Sequence, residues 1–326
     1  MKRSKWTMAF TCLLAGLAIF SSCNNTKSTV PVIGFLDAFE DNTIAQAKQG
    51  FFDALKKNGY SEDSNTIKVI YRNAEGDIPK LTLSVKYFES EKVTLMATSP
   101  SLSTIAAIQN NKDIPIFMMV SPTPKLMNVT DKQDGAPANL FGIAESLGYI
   151  DTSFSLIPKL VKPAGTQLKV GMIYNQSEPQ SAEALKRIQE LATQLHIDLV
   201  SLPVNNTADV QLVTKALLEK HIDAFFANPD NTVFGSFETI LKSCTDAKVP
   251  VFTSEEGLVS RGAVAAYGAD IYQWGYQAGE QAAQFLKNKS TQGIHWEIVK
   301  LRKRVYNAAA AKQFGIIVPG NFEAVK

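Results

Sequence analysis

The chain has 326 residues, 45% hydrophobic and 20% charged, with 33 basic against 31 acidic side chains and a formal net charge of +2. This composition belongs to a globular protein long enough for two domains, and excludes disordered and collagen-like chains. So balanced a charge gives no electrostatic footprint for nucleic acid, and three cysteines are too few for a disulfide framework.

The chain opens with Lys2, Arg3 and Lys5, followed by the apolar stretch WTMAFTCLLAGLAIF, which is too short for an ordinary membrane-spanning helix. The small residues Ser21 and Ser22 then precede Cys23. This order resembles a bacterial lipoprotein signal, although Phe20 stands where a small aliphatic residue is usual. It implies removal of residues 1–22, lipidation of Cys23 (a palmitate-type anchor) and a polar tether over residues 23–30. Without its leader the chain has 30 basic against 31 acidic side chains, a net charge of −1. Cys12 would leave with the leader, so Cys244 is the one thiol that bears no lipid, expected as a buried structural residue.

After the tether, VPVIGFL reads as a strand and IAQAKQGFFDALKKNGY as an amphipathic helix ending near a glycine. NTIKVIYRNA (strand), IPKLTLSVKYFESEK (helix), VTLMATS (strand), SLSTIAAIQN (helix) and IPIFMMVS (strand) follow. A connection from Pro122 to about Leu140 leads to FGIAES, a fifth strand and the first expected crossing between two lobes. A helix is expected over Tyr149–Leu160, then strand LKVGMIY, helix SAEALKRIQELATQLH, and the strands DLVSLPV, DAFFANP and VPVFTSE with helices between them. AVAAYGADI reads as a strand, YQWGYQAGEQAAQFLKN as a helix, WEIVKLRKRVYN as one last extended segment and AAAAKQFG as a terminal helix.

The same plan thus occurs twice: PVIGFLDAFEDN, KVTLMATSPSLSTIAAI and KDIPIFMMVSP in the first half, KVGMIYNQSEPQ, DAFFANPDNTVFGSFETIL and AKVPVFTSEEG in the second. Strands alternating with helices argue for parallel sheets, and ligands bind outside the carboxyl ends of such strands. The expected fold is therefore α/β: two Rossmann-like lobes with parallel sheets, joined by a multi-strand hinge. The N-terminal lobe takes 31–143 plus 269–300, the C-terminal lobe 144–268 plus 301–326. Several crossings would restrict motion to hinge bending.

NPDNTVF, VPVFTSEEGLVSRGAVAAYGADIYQWGYQAGEQAAQFLKN and NAAAAKQFGIIVP resemble the substrate-binding lipoproteins of ABC transporters, in particular the tryptophan-binding, TrpX-like group. The resemblance runs over roughly residues 31–322 and is most specific from Asp230 to Gln277. It implies a type I periplasmic-binding-protein architecture and delivery of a small ligand, often an aromatic amino acid, to a membrane permease. This chain departs from the group in reading TSPSLST where a Thr-Pro-Ala-Ala type of sequence is common, in residues 145–154, and in placing Glu255 where Asp is more frequent.

An amino acid needs donors for its carboxylate, acceptors for its ammonium and an apolar wall for its side chain. At the first lobe's strand ends, Ser99, Ser101, Ser103 and Thr104 offer hydroxyls beside a helix N-terminus, Ser121 follows the next strand, and Asp37 and Phe39 end the first one. In the second lobe Asp230 is expected to face an ammonium, and Asn231, Thr232 and Asn175 to donate hydrogen bonds. One of Glu255 and Glu256 is expected to face the cleft. Tyr267 and Tyr272 would line it or pack the hinge, and Trp274 falls in a helical core pattern.

No nucleophile elbow, phosphate loop or dinucleotide fingerprint is present, and His196, His221 and His295 lack metal-ligand spacing. The expectation is a non-enzymatic, extracytoplasmic solute-binding lipoprotein of an ABC importer. It needs no cofactor or metal, is a monomer anchored to the membrane by lipid, and closes on its ligand by hinge bending. The alternatives are a ligand-sensing lipoprotein that feeds a signalling receptor, and a binding protein for a nucleoside or sugar.

Overall fold

The computed structural model describes residues 30–130 and 133–325; the expected leader, Cys23 and all but the last residue of the tether lie outside them. The first half builds β1 (Val32–Asp37), α1 (Asn42–Lys57), β2 (Lys68–Asn73), α2 (Ile78–Ser90), β3 (Leu95–Ser99), α3 (Ser101–Asn110), β4 (Ile116–Pro122) and β5 (Leu140–Glu145). Every residue of β3, β4 and β5 is buried, as expected of strands covered on both faces, whereas KVIYRN of β2, at the sheet edge, is partly or fully exposed throughout. All neighbours in this sheet pair in parallel.

The chain continues with α4 (Tyr149–Phe154), α5 (Ile157–Leu160), β6 (Lys169–Asn175), α6 (Pro179–Gln194), β7 (Asp198–Val204), α7 (Val210–Leu218) and β8 (Ala224–Ala227). Then come α8 (Asn231–Gly235), α9 (Phe237–Asp246), β9 (Val251–Thr253), α10 (Glu256–Ser260) and β10 (Ala265–Ala269). The last elements are α11 (Ile271–Asn288), β11 (Glu297–Ile298), β12 (Arg302–Tyr306), α12 (Ala308–Gln313) and β13 (Glu323–Ala324). The first sheet runs β11-β5-β4-β3-β1-β2 and the second, also parallel, β7-β6-β8-β9.

The helix expected over residues 149–160 is two short helices, with Ser155 and Leu156 between them. WEIVKLRKRVYN is not one extended segment: β11 joins the first sheet, and β12 pairs antiparallel to β10 in a third sheet, β10-β12-β13. The chain leaves the first sheet after β5, returns as α11, and leaves again after β11. These three crossings form the hinge.

α11 lies against α1 at backbone contact. A Cβ on Gly275 would stand 1.8 Å from the Ala47 carbonyl oxygen, and one on Gly50 would stand 2.1 Å from that of Tyr272. Only glycine permits this approach. Helix starts are fixed by side chains: Asp41 accepts from the Thr43 and Ile44 amides, Asp230 from Val233, Asp270 from Gln273 and Asn307 from Ala310.

Candidate functional site

The carboxyl ends of the two parallel sheets face a shared cavity. Ser101, Val120, Ser121 and Pro122 line it from the first sheet's side, and Gln180, Pro229, Asp230, Asn231 and Phe234 from the second. Glu145, Leu147, Tyr149, Glu255, Ile271 and Trp274 line it at and beside the crossings. The two lobes touch across it: Asn231 Nδ2 donates to Ser101 Oγ at 3.2 Å. Beside the cavity, Arg261 Nη1 donates to Asp41 Oδ2 at 2.7 Å and to Thr43 Oγ1 at 2.9 Å.

On the first lobe β4 changes register between Met118 and Ser121, and Val120 is held at φ 50°. A β-branched residue in the left-handed region is strained, and strain of this kind collects at functional sites. The bulge turns Ser121 towards the cavity, where Thr104 Oγ1 holds its hydroxyl at 3.0 Å. Thr104 itself bonds Thr98 at 2.9 Å and stays behind the cavity wall. α3 begins at Ser101 without a side-chain cap, and among the described residues the amides of Ser101 and Leu102 make no hydrogen bond. Those amides and the helix dipole suit a carboxylate.

At the crossings two carboxylates meet the cavity. Glu145 Oε1 accepts from Arg302 Nη2 at 2.9 Å and from the Ser146 amide at 2.7 Å, while its Oε2 is buried with no hydrogen-bond partner. Glu255 Oε1 accepts from Ser254 Oγ at 3.2 Å, and its Oε2 is likewise buried without a partner. Burial pushes the Glu255 carboxyl up to about 8, against the pull of the Tyr149 hydroxyl and Ser254 and with the charge of Glu145 adding to the push. With both carboxylates ionised, Arg302 balances one charge and leaves one for a cation.

Behind the second lobe's wall lies a closed polar cluster. The oxygens of Asp230 accept from the Asn175 amide at 2.6 Å, the Val233 amide at 3.0 Å and the Ser181 hydroxyl. Asp230 therefore lines the cavity with both oxygens engaged by protein donors, whereas Glu145 and Glu255 each keep a buried carboxylate oxygen without one. Glu178 accepts from Asn231 Nδ2 at 2.7 Å, Thr232 Oγ1 at 3.2 Å and Gln180 Nε2 at 2.6 Å. Burial, then the charge of Asp230, raises its carboxyl above the usual range.

Of the residues expected from sequence to contact the ligand, Ser101, Ser121, Asp230, Asn231 and Glu255 line the cavity. The others stand outside that lining. Ser99 ends β3, where its carbonyl accepts from Ala38 and from the Ser103 hydroxyl. Asp37 is bound to the Tyr71 hydroxyl at 2.9 Å and stands near Lys48 at 3.6 Å; burial pushes it up to about 6. Phe39 packs against both apolar clusters of the core. Asn175 donates to Thr232 Oγ1 at 2.9 Å, which joins both to the cluster behind Asp230. Glu256 pairs with Lys303 at 3.0 Å, and the Tyr267 ring lies under Arg304 at 4.0 Å in a separate groove. Trp274 is both core and cavity wall, its Nε1 donating to the Ile143 carbonyl at 2.9 Å.

Glu145, Tyr149, Gln180 and Phe234 were not singled out. The rule that strand ends face the ligand would have found Glu145, the last residue of β5, and pointed to the start of α6, which follows β6 and carries Gln180. Among the described residues no group of three His, Cys, Asp or Glu side chains could hold a metal ion, and no helix is long and apolar enough to cross a membrane.

Comparison with known proteins places the chain in a family. A family described as ABC transporter substrate binding protein matches residues 32–325. A curated relative, the tyrosine-binding protein of Clostridioides difficile (strain R20291), is 31% identical over 262 residues, covering 80% of this chain and 74% of the relative. An ABC domain in complex with L-Trp from Streptococcus pneumoniae superposes with a TM-score of 0.80 at 21% identity, over 91% of this chain and 99% of that one. A ligand-free, open substrate-binding protein with adhesive properties from Clostridium difficile superposes with a TM-score of 0.66 at 26% identity, over 91% and 99%.

Proposed function

The chain belongs to the family of ABC transporter substrate-binding proteins, and on that premise we propose that it captures an aromatic α-amino acid between its lobes for delivery to a membrane permease. The observation that carries this reading is the pair of buried carboxylates, Glu145 and Glu255, each with an oxygen free of protein partners at one cavity. A buried charge without a counter-charge is costly, so such a pair calls for a cationic group from the ligand. The free amides at the start of α3 suit the ligand's carboxylate, and Trp274, Phe234 and Tyr149 suit an aromatic side chain. The relative that binds tyrosine and the structural neighbour that holds L-Trp support the same class of ligand.

In this reading the lobes divide as 31–143 plus 269–300 and 144–268 plus 301–326, and closure brings Asn231 onto Ser101. Residues 1–22 act as a lipoprotein leader, Cys23 carries the anchor, and the protein works as a monomer outside the cytoplasm. A micromolar dissociation constant needs about 8 kcal/mol, within reach of a few charge-assisted hydrogen bonds and one buried ring. The test is calorimetry on the chain starting at residue 24 with the common amino acids, nucleosides and sugars. Saturable binding of aromatic amino acids supports the reading; binding confined to a nucleoside or sugar overturns it.

A further inference from the structure

We propose that Gln180 sets ligand choice, by selecting a side chain that ends in a hydrogen-bond donor. Gln180 is the second residue of α6, is 6% exposed and lines the cavity. Its amide orientation is fixed from behind. Nε2 donates to Glu178 Oε2 at 2.6 Å, and Asn231 N, Asn231 Nδ2, Asn175 Nδ2 and Thr232 Oγ1 also point at the two Glu178 oxygens. Four other donors already converge on Glu178, and in this arrangement the nitrogen of Gln180 faces it and the oxygen faces away. That oxygen, Oε1, is buried and without a hydrogen-bond partner.

Its place in the fold says which part of the ligand it meets. Gln180 follows β6 and Glu255 follows β9, and β8 lies between those strands. Glu255 is bridged to Ala269 beside a crossing, whereas Gln180 stands in α6 on the second lobe's wall. Resting on the amino-acid reading above, the ammonium is held at Glu145 and Glu255, so Gln180 meets the far end of the ligand. Phe234 and Trp274 are apolar lining of the same cavity. The ligand this describes has an amino group at one end, an aromatic body and an O–H or N–H at the other. An aromatic amino acid that ends in plain hydrocarbon would leave Gln180 Oε1 buried and unbonded, the form of mismatch that sites reject most strongly.

The experiment is calorimetry of L-tyrosine and L-phenylalanine against the native protein and against the Gln180→Met and Gln180→Leu variants. The native protein is expected to bind tyrosine about 10- to 100-fold more tightly than phenylalanine. Both variants, which keep bulk and lose the acceptor, are expected to bring the two within about threefold, chiefly through weaker tyrosine binding. The measurement is a ratio within one preparation, so partial unfolding of a variant does not change it. Equal affinities in the native protein, or an undiminished ratio in both variants, would overturn the assignment of Gln180. Absence of binding by either amino acid to any of the three proteins would overturn the amino-acid reading itself.

Discussion

Glu255→Gln changes one oxygen to nitrogen and removes the charge that the proposed ammonium would meet. A hydrogen bond to a charged group contributes about 1.5–3 kcal/mol, so binding should weaken about 10- to 150-fold where Glu255 is ionised. The effect depends on pH, and the sign follows from the raised pKa. Burial puts the carboxyl at about 8 in the ligand-free protein, so below that pH it holds a proton. A bound ammonium favours the carboxylate and lowers its pKa, so binding expels that proton. The native affinity should fall about tenfold between pH 7 and pH 6, while the variant stays flat, and the two curves converge at low pH. Glu145, Tyr149 and Ser254 face the same carboxyl, Arg302 pairs with Glu145, and all four are unchanged by the substitution. Calorimetry in buffers of different ionisation enthalpy counts the proton directly: about one released at pH 7 by the native protein, none by the variant. Native binding that is independent of pH from 6 to 8, or that releases no proton, would refute the placement of the ammonium at Glu255.

Three further outcomes follow from other parts of the fold. Asp41→Asn keeps the cap on α1 but removes the charge that Arg261 reaches from the other lobe, so ligand release should accelerate about tenfold in stopped-flow fluorescence, with Glu238→Gln, on Arg261's own lobe, as the milder control. Gly275→Ala pushes a methyl group into the Ala47 carbonyl and should lower the melting temperature by at least about 5 °C; native-like melting would show that α1 and α11 can part. Burial pushes the Cys244 thiol up to about 12, so an aromatic disulfide reagent at pH 8 should label it only after unfolding in guanidinium, and prompt labelling of the folded protein would place it at the surface.

The repeat of strand, polar loop and helix was legible because each parallel strand is covered on both faces and reads as a short unbroken apolar run; LMATS and IFMMVSP are fully buried. The pairing of β12 antiparallel to β10 was not legible, since RKRVY is mostly exposed and carries no alternation to mark a face. Within the site, sequence led to the loops that border the cavity more often than to the side chains that line it. Ser103, Thr104 and Asn175 sit where expected along the chain, yet each is turned to a neighbour in the wall. A polar residue at a strand end can serve the ligand or the loop that holds it, and spacing does not distinguish the two. What distinguishes them is whether the partners are already present: Asp230 has three, whereas Glu255 has one oxygen left over.

That leftover capacity also bears on why closure should wait for ligand. In the proposed closed form Glu145, Gln180 and Glu255 would each bury an acceptor oxygen that no protein group satisfies, as they do here. Each such atom costs about 1–3 kcal/mol relative to a hydrated one. Against this stand the contacts made across the cleft, chiefly Asn231 with Ser101 and Arg261 with Asp41 and Thr43. In the open form the Arg261 bridge would be broken and Gln180, on the second lobe's wall, hydrated, while Glu145 and Glu255 would stay covered at the crossings. Closure without a ligand therefore sets a favourable rim against an unfavourable floor. A ligand that supplies an ammonium and a distal donor removes the floor's penalty and leaves the rim intact, and this difference in affinity between the two forms is what shifts the population. A ligand with only one of those groups would leave part of the penalty in place. It should bind with a smaller closed fraction as well as a lower affinity, and small-angle scattering at saturation would separate the two effects.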